Sequence, residues 1–242
     1  MSMKAAVLSD IHGNLSALKN VLEDVKKEGV DHIIILGDII DYGMHSNEVI
    51  DILREYESMI TVNMWGNHEY AIMKDDYGRF SSQRGVESAR HTKSIMSESS
   101  FDYISKINDS GMAELKTDGK RILCIHGNME DHYWGTLNAS SDLSLYEGYD
   151  YVLSGHSHIP HYFEQYYKTD DPKMRNKRKC IFINPGSVGQ PRNHNNRAQY
   201  CILDFGTEEI RFRKVDYDIG FEQEAFDGSV DPFYKERLRY GT

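Results

Sequence analysis

Polar side chains that can bind metal ions recur directly after apolar, strand-like stretches of this sequence. The stretch KAAVLS is followed by Asp10 and His12, and the stretch HIIILG is followed by Asp38 and Asp41. Three later stretches precede further residues of the same kinds, namely Asn67, His68, His126, His156 and His158. Because the carboxyl ends of the strands in an open parallel sheet form a ligand-binding crevice, we expect these side chains to converge in space.

The residue types favour a pair of borderline divalent cations. Carboxylate, amide and imidazole ligands suit manganese, iron, cobalt, nickel or zinc, whereas the set has no thiolate and too few carboxylates for calcium. Two such cations a few ångströms apart lower the pKa of a bridging water until it is hydroxide near neutral pH, and they neutralise phosphoryl oxygens. We therefore expect attack of that hydroxide on phosphorus and hydrolysis of a phosphate ester.

Each motif on its own has an ordinary structural explanation. Asp and His at the end of a strand often cap the next helix, and the run GNHE can form a simple turn. Two histidines on one short turn, as in GHSH, are costly to bury unless another group pairs with them. All five motifs occur in order, each at a strand end, and this combination favours the functional interpretation.

The composition is that of an acidic globular protein. Of the 242 residues 39% are hydrophobic and 27% are charged, which predicts one α/β domain spanning 1–242. The formal net charge of -10 argues against nucleic acid as the main partner, because phosphate-backbone binding needs a basic face. The apolar runs are too short for a membrane span, and the first residues lack the apolar region of a signal peptide. Three cysteines inside apolar strands fit a reducing compartment, so we expect a cytoplasmic protein with no membrane partner.

Apolar periodicity predicts the elements that carry the motifs. The N-terminal third alternates strand-like and helix-like stretches in the order β-α-β-α-β, which is typical of a parallel sheet with helices packed over it. Asn14 can cap the first helix and Gly29 can end it. Residues 75–115 have a polar helical pattern, whereas later apolar runs predict a second, partly antiparallel sheet stacked on the first. The polar segment 164–180 is interpreted as a solvated hairpin tip.

The ordered motifs resemble those of the calcineurin-like metallophosphoesterases, and most of all those of the small prokaryotic phosphodiesterase-like branch. The family pattern D-x-H, G-D-x-x-D, G-N-H-[DE], a later His and G-H-x-H is matched by DIH, GDIID, GNHE, IHGN and GHSH. This resemblance implies an α/β fold, a four-layer sandwich of two stacked mixed β-sheets flanked by helices. It also implies two divalent metal ions per chain, with manganese as the expected ion. The first ion would be held by Asp10, His12, Asp38 and His158, and the second by Asp38 as the bridge with Asn67, His126 and His156.

The resemblance further implies roles for residues around the metal ions. His68 would contact the phosphate and assist the leaving oxygen, and Asp41 would orient its imidazole. Protein Ser/Thr phosphatases and symmetrical dinucleoside tetraphosphatases typically have an Arg after the second Asp of G-D-x-x-D, but Tyr42 occupies that position here. The run INPGSVGQPR is similar to the small prokaryotic members, and its Arg192 could reach a substrate phosphate or form a surface ion pair. Asn14 is a further candidate for substrate binding.

Several functions are compatible with these residues. The leading expectation is a dinuclear metal-dependent phosphoesterase that hydrolyses a small phosphodiester or nucleotide, such as a cyclic nucleotide or a dinucleoside polyphosphate. The alternatives are a phosphomonoesterase or Ser/Thr protein phosphatase, and a non-catalytic scaffold with the same fold. A homo-oligomer is compatible with the sequence. The aromatic residues near the motifs could stack on a base or pack beneath loops, and they are Tyr42, Trp65, Tyr70 and Trp134.

Overall fold

Two five-stranded β-sheets form the centre of the protein, in a computed structural model that describes residues 2–242. The strands among these residues are β1 (Lys4–Leu8), β2 (His32–Ile35), β3 (Ile60–Asn63), β4 (Met112–Thr117), β5 (Lys120–Ile125), β6 (Tyr151–Ser154), β7 (His161–Lys168), β8 (Lys177–Asn184), β9 (Ala198–Asp204) and β10 (Glu209–Val215). The α-helices are α1 (Leu15–Lys27), α2 (Ser46–Glu55), α3 (Asn67–Lys74), α4 (Gln83–Ile95), α5 (Glu98–Lys106), α6 (Ile219–Glu224) and α7 (Pro232–Glu236).

The first sheet has the strand order β10-β9-β1-β2-β3. Strands β1, β2 and β3 are parallel, and β9 pairs antiparallel with β1. Helices α1 and α2 connect the parallel strands, so the predicted β-α-β-α-β order is confirmed. The amide oxygen of Asn14 caps α1 by accepting a hydrogen bond of 3.0 Å from the backbone N–H of Ala17, and Gly29 follows the helix with a positive φ of 60°.

The second sheet has the order β4-β5-β6-β8-β7 and is also mixed. Strands β5, β6 and β8 are parallel, whereas the edge strands β4 and β7 are antiparallel to their neighbours. The polar helical pattern of residues 75–115 predicts a helix where β4 begins, and the polar segment before residue 180 predicts no strand at β7. Both predictions were wrong, because edge strands with polar side chains lack the continuous apolar run of a buried strand. The segment 164–180 does form a hairpin, but its ends belong to β7 and β8, and only 169–176 connects them.

Apolar layers hold the sheets together and to their coverings. Side chains from the facing sides of both sheets form one buried cluster, which includes Val7, Ile34, Leu36, Cys124, Leu153 and Ile183. The other side of the first sheet packs on α1 and α2. The outer side of the second sheet is covered by residues 137–149, which include the 3-10 helix Ser144–Tyr146. Burial of these side chains removes apolar surface from water and stabilises the sandwich.

All three cysteines are buried and form no disulfide bond. The helices in the described part of the chain are each too short or too polar to cross a bilayer.

Candidate metal centre

The predicted metal ligands meet at one edge of the sandwich, where strands of both sheets end. The first sheet contributes the residues after β1, β2 and β3, and the second sheet contributes those after β5 and β6. Six of the seven predicted ligands are at most 2% exposed, and His156 is partly exposed. Convergence of strand ends from two sheets therefore buries a dense set of polar side chains in one place.

The first group of ligand atoms comes from Asp10, His12, Asp38 and His158, whose candidate donor atoms all lie within 4.8 Å of one another. The Nε2 atoms of His12 and His158 are 3.2 Å apart. A carboxylate oxygen of Asp10 lies 3.3 Å from Nε2 of His158, and a carboxylate oxygen of Asp38 lies 3.7 Å from Nε2 of His12. This group has the membership that the resemblance implied for the first metal ion.

The second group shares Asp38 with the first and adds His126 and His156 within the same 4.8 Å limit. Oδ2 of Asp38 lies 3.3 Å from Nε2 of His126, while Oδ1 accepts a hydrogen bond of 2.9 Å from the backbone N–H of His68. The amide oxygen of Asn67 lies 3.0 Å from Nε2 of His126 and 2.8 Å from Nδ1 of His156. Because one oxygen of Asp38 faces both groups, this carboxylate has the position that a bridging ligand requires.

Backbone carbonyl groups fix the orientation of three of the imidazoles. Nδ1–H of His126 donates to the carbonyl oxygen of Leu36 at 2.7 Å, and Nδ1–H of His158 donates to that of Gln190 at 2.6 Å. Nδ1 of His12 lies 3.3 Å from the carbonyl oxygen of Ile40 in the same arrangement. Since a carbonyl only accepts hydrogen bonds, each Nδ1 carries a proton and each Nε2 faces the cluster. Carbonyl or carboxylate partners at the remote nitrogen are the usual support of metal-binding histidines.

Burial keeps several of these groups uncharged. It lowers the pKa of His12 and His158 well below the ordinary range, and it lowers the pKa of His156 to about 3. Burial also raises the pKa of Asp10 to about 7. Burial lowers the pKa of His126 as well, but the Asp38 carboxylate outweighs it and raises that pKa to about 9. Neutral imidazoles are the protonation state that binds a metal ion.

The local backbone of the ligand loops is strained. Asp10, His12, Asp38, His156 and His158 all have φ between 49° and 63°, in the left-handed region that residues with a Cβ seldom adopt. Such conformations cost free energy and cluster at functional sites, where the surrounding structure enforces them. The loops are also packed tightly, because a Cβ on Gly66 would lie 2.2 Å from Oδ1 of Asp38.

The unpartnered atoms of the cluster fit divalent cations. Both carboxylate oxygens of Asp10 are buried and accept no hydrogen bond within the described residues. The Nε2 lone pairs of His12 and His158 face each other at 3.2 Å, an arrangement that is repulsive without a positive charge beside them. Buried oxygens and imidazole nitrogens of this kind are the donors that manganese, iron, cobalt, nickel and zinc accept. The residues therefore fit the metal pair that the sequence predicts.

His68 lies beside the cluster and is held by Asp41. Nδ1–H of His68 donates to Oδ2 of Asp41 at 2.6 Å, and Nε2 of His68 lies 4.0 Å from Oδ2 of Asp38. Oδ1 of Asp41 accepts hydrogen bonds from the hydroxyls of Ser88 and Thr92 on α4, at 2.6 and 3.0 Å. Burial lowers the pKa of His68, but the charge of Asp38 and the hydrogen bond to Asp41 outweigh it, so the pKa is raised.

Three further residues support the site and are not among those predicted from the sequence, namely Glu69, Ser88 and Thr92. Glu69 is fully buried, and its carboxylate accepts hydrogen bonds of 2.7–3.1 Å from the backbone N–H groups of Gly66 and of residues 38–40. This carboxylate joins the loop after β2 to the start of α3, and so it positions Asp38 and Asn67. The GNHE motif contains Glu69 and is the sequence signal for its role in positioning the two loops. For the hydrogen bonds of Ser88 and Thr92 to Asp41, the only signal is their four-residue spacing on α4.

A cavity of about 460 Å³ opens from the cluster to solvent. It is lined by metal-centre residues, by cationic residues and by aromatic residues, including Tyr42, Phe80, Trp134, Arg192 and Tyr234. The Tyr42 ring lies against the metal centre, with its centroid 4.6 Å from that of His12 and 4.4 Å from that of His68. The cavity is large enough for a ligand of nucleotide size.

The structure does not support substrate binding by Asn14. Its amide nitrogen donates to the carbonyl oxygen of Gly189 at 3.0 Å, its amide oxygen caps α1, and its side chain does not line the cavity. Both polar groups of Asn14 therefore serve the fold, and the sequence-based expectation is corrected. Among the other aromatic candidates, Trp134 lines the cavity, whereas Trp65 is buried and donates to the carbonyl oxygen of Ile104. Tyr70 packs against Tyr133.

Comparisons with known proteins agree with this geometry. The sequence pattern of the calcineurin-like phosphoesterase superfamily domain matches residues 3–208. An uncharacterized protein of Methanocaldococcus jannaschii is 32% identical over 223 residues, which cover 88% of each chain. A metallophosphoesterase structure from Sphaerobacter thermophilus superposes with a TM-score of 0.77 at 24% identity and covers 100% of both chains. A hypothetical protein of Pyrococcus horikoshii superposes with a TM-score of 0.79 at 19% identity and covers 99% of both chains. These two structures share the fold of this chain.

Proposed function

Since the chain belongs to the calcineurin-like phosphoesterase superfamily, and is thus a metal-dependent phosphoesterase, we propose that it hydrolyses a small phosphodiester or nucleotide. The observation that supports this proposal is the cavity of about 460 Å³ that joins the metal centre to aromatic and cationic side chains. Phosphate groups attract guanidinium groups, and nucleobases stack on aromatic rings, so this lining suits such a substrate.

Two divalent metal ions are part of the proposal. Asp10, His12, Asp38 and His158 would hold the first, and Asp38, Asn67, His126 and His156 would hold the second. The donor atoms are oxygens and imidazole nitrogens without thiolates, which suit manganese, iron, cobalt, nickel and zinc, and manganese is the ion we expect among these. When bound, such a pair supplies a water activated near neutral pH and positive charge for the phosphoryl oxygens.

The protein's own side chains orient the reaction. We assign His68 to the leaving oxygen, because its Nδ1–H is bound to Asp41 and its Nε2 lies on the side of the metal centre. A proton on Nε2 would be transferred to the departing oxygen, which is general acid catalysis. Asp41 acts as a positioning residue, since its two oxygens accept hydrogen bonds from His68, Ser88 and Thr92.

Arg192 and Tyr42 are the proposed substrate contacts among the residues identified from the sequence. Both line the cavity, and the backbone N–H of Arg192 lies 3.4 Å from the carbonyl oxygen of His158, next to the metal centre. The Arg192 guanidinium would bind a phosphoryl oxygen. This contact would partly replace that of the arginine which protein Ser/Thr phosphatases typically have at the position of Tyr42. The Tyr42 ring would limit access to His68 and to the first group of ligands.

We also propose that residues 1–242 act as one domain in the cytoplasm, with Met1 outside the described residues. Helix α6, which follows the last strand, packs on α1. There Glu222 accepts a hydrogen bond of 2.6 Å from the backbone N–H of Ser16 and lies 3.0 Å from Nδ1 of His45. These buried links support a single folding unit. The three unpaired cysteines support a reducing compartment.

A substrate panel on metal-reconstituted protein tests the function. We expect turnover of at least one aryl phosphodiester, cyclic nucleotide or dinucleoside polyphosphate, with a higher kcat/KM than for matched monoesters. Asp38→Asn should lower kcat/KM at least about 100-fold and should reduce bound metal, because it removes the charge shared by both groups. Asp51→Asn, at an exposed position on α2, is the matched control and should retain both.

Three results would contradict parts of the proposal. Full activity of the Asp38→Asn variant would contradict the bridging role assigned to Asp38. A clear preference for monoesters would favour the phosphomonoesterase or protein phosphatase alternative, and absence of turnover with every substrate would favour the scaffold.

A further inference from the structure

Three arginines line the cavity without an Asp or Glu partner. Within residues 2–242, no Asp or Glu oxygen lies within 4.0 Å of a side-chain nitrogen of Arg84, Arg192 or Arg237, whereas Arg79 at the same cavity pairs with Asp131. The protein as a whole carries a formal net charge of -10, so three arginines without an Asp or Glu partner at one cavity are not a consequence of a basic surface. Their shared position needs another explanation.

Two of these arginines are placed at a cost in free energy. Arg237 is only 8% exposed, and Nε of Arg192 is buried without a hydrogen-bond partner. Burial, followed by the neighbouring charges of Arg192 and Arg84, lowers the pKa of Arg237 to about 10. Guanidinium groups that are buried near each other are unfavourable unless an anion compensates them.

The three arginines line the cavity at different depths. Arg192 lies beside the metal centre, because its backbone N–H lies 3.4 Å from the carbonyl oxygen of His158. Arg237 is buried, and its Nε donates to a main-chain oxygen of Thr242, the last residue of the sequence. Arg84 is exposed.

One aromatic ring holds Arg84 and Arg237. The guanidinium carbon of Arg84 lies 4.4 Å from the ring centroid of Phe233, and that of Arg237 lies 4.9 Å from the same centroid. Cation–π attraction at these distances fixes both side chains at the cavity wall. Phe233 and Arg237 lie beyond residue 208, where the match to the superfamily pattern ends, so the C-terminal segment contributes two of the three residues of this wall.

We propose that Arg84 and Arg237, held on Phe233, bind a second phosphoryl group of the substrate while the group to be hydrolysed lies at the metal centre. The substrate class is then a compound with at least two linked phosphoryl groups, such as a nucleoside polyphosphate. This inference rests on the proposed function, and it narrows the substrates of that site. Guanidinium groups suit this task because each can donate two parallel hydrogen bonds to a phosphoryl group.

Calorimetry with non-hydrolysable probes tests the second subsite. Metal-reconstituted protein is titrated with methylenediphosphonate, which carries two phosphonate groups, and with methylphosphonate, which carries one. We expect Arg84→Gln to weaken methylenediphosphonate binding about fivefold to tenfold, as expected for the loss of one charged contact, and to change methylphosphonate binding less than about twofold. Arg90 lies on the same helix and does not line the cavity, so Arg90→Gln is the control and should leave the binding of both probes unchanged.

The outcomes separate this inference from the proposed function. Equal losses for both probes in Arg84→Gln, or no loss for either, would overturn the second subsite even if the enzyme hydrolyses phosphodiesters. A selective loss for the diphosphonate supports the subsite, and because calorimetry measures binding, this result does not depend on turnover. Failure of every substrate in the panel would count against the proposed function alone.

Discussion

At the scale of the residue, backbone carbonyls prepare the histidines for metal binding. His126 and His158 each donate Nδ1–H to a carbonyl oxygen, so the direction in which each Nε2 faces is fixed before any ion arrives. The sequence predicted these residues because each ligand follows a recognisable apolar strand. It did not predict their carbonyl partners, since Leu36 and Gln190 contribute only main-chain atoms, which no residue type reveals.

His68 provides the sharpest test at this scale. We expect His68→Asn to lower kcat about 10²- to 10⁴-fold, because the leaving oxygen loses its proton donor, while the bound metal content stays unchanged. Initial rates and metal analysis on the same preparations measure the two quantities. His91→Asn changes a partly exposed histidine on α4 that does not line the cavity, and it should leave both unchanged. A His68 variant with normal kcat would rule out the assigned role.

At the scale of the element, short loops after the strands determine the site. The buried parallel strands were predictable because a continuous apolar run identifies them, and the motifs mark where each run ends. The edge strand β7 alternates partly buried and exposed residues, so its sequence lacks the continuous apolar run that identifies a buried strand. The contribution of α4 was not predictable from the sequence either. Ser88 and Thr92 lie 47 and 51 residues after Asp41 in the sequence, and only tertiary packing brings their hydroxyls to its carboxylate.

Gly66 tests how closely these loops are packed. We expect Gly66→Ala to destabilise the fold by about 1–3 kcal/mol and to weaken metal binding at least about tenfold, because the new Cβ would lie 2.2 Å from Oδ1 of Asp38. Thermal unfolding and metal titration measure these effects. Gly78→Ala is the control, since its Cβ would meet only an oxygen of Asp76 at 3.6 Å. Normal metal affinity of the Gly66→Ala variant would show that the ligand loops can move to accommodate the Cβ, and it would contradict close packing as a requirement for metal binding.

At the scale of the whole molecule, the metal centre joins the two sheets. Asp10, Asp38 and Asn67 follow strands of the first sheet, while His126 and His158 follow strands of the second. The fold class was predictable from the motif order, whereas the cationic cavity wall was not. Arg84 and Arg237 belong to segments whose composition resembles any solvated surface, and only the folded chain shows that both contact Phe233.

Metal binding should therefore stabilise the molecule as a whole. At a free manganese concentration 100 times the Kd, each bound ion adds by linkage about 2.7 kcal/mol to the free energy of unfolding. For a chain of this length that corresponds to a rise in Tm of about 5–10 °C over the chelator-treated protein. Scanning calorimetry measures the rise, and calcium should give a smaller one because it prefers more oxygen ligands. Equal Tm values with and without manganese would contradict a site that connects the sheets.

The separation of the ligands along the chain has one more consequence. His12 and His158 face each other across 146 residues of sequence, so a newly made or denatured polypeptide carries only scattered, weakly chelating groups. Ion uptake must then wait until both halves of the sandwich have docked. In a cell where free transition metals are scarce, the ions would partition to mature molecules, and metal occupancy would serve as a record of completed folding.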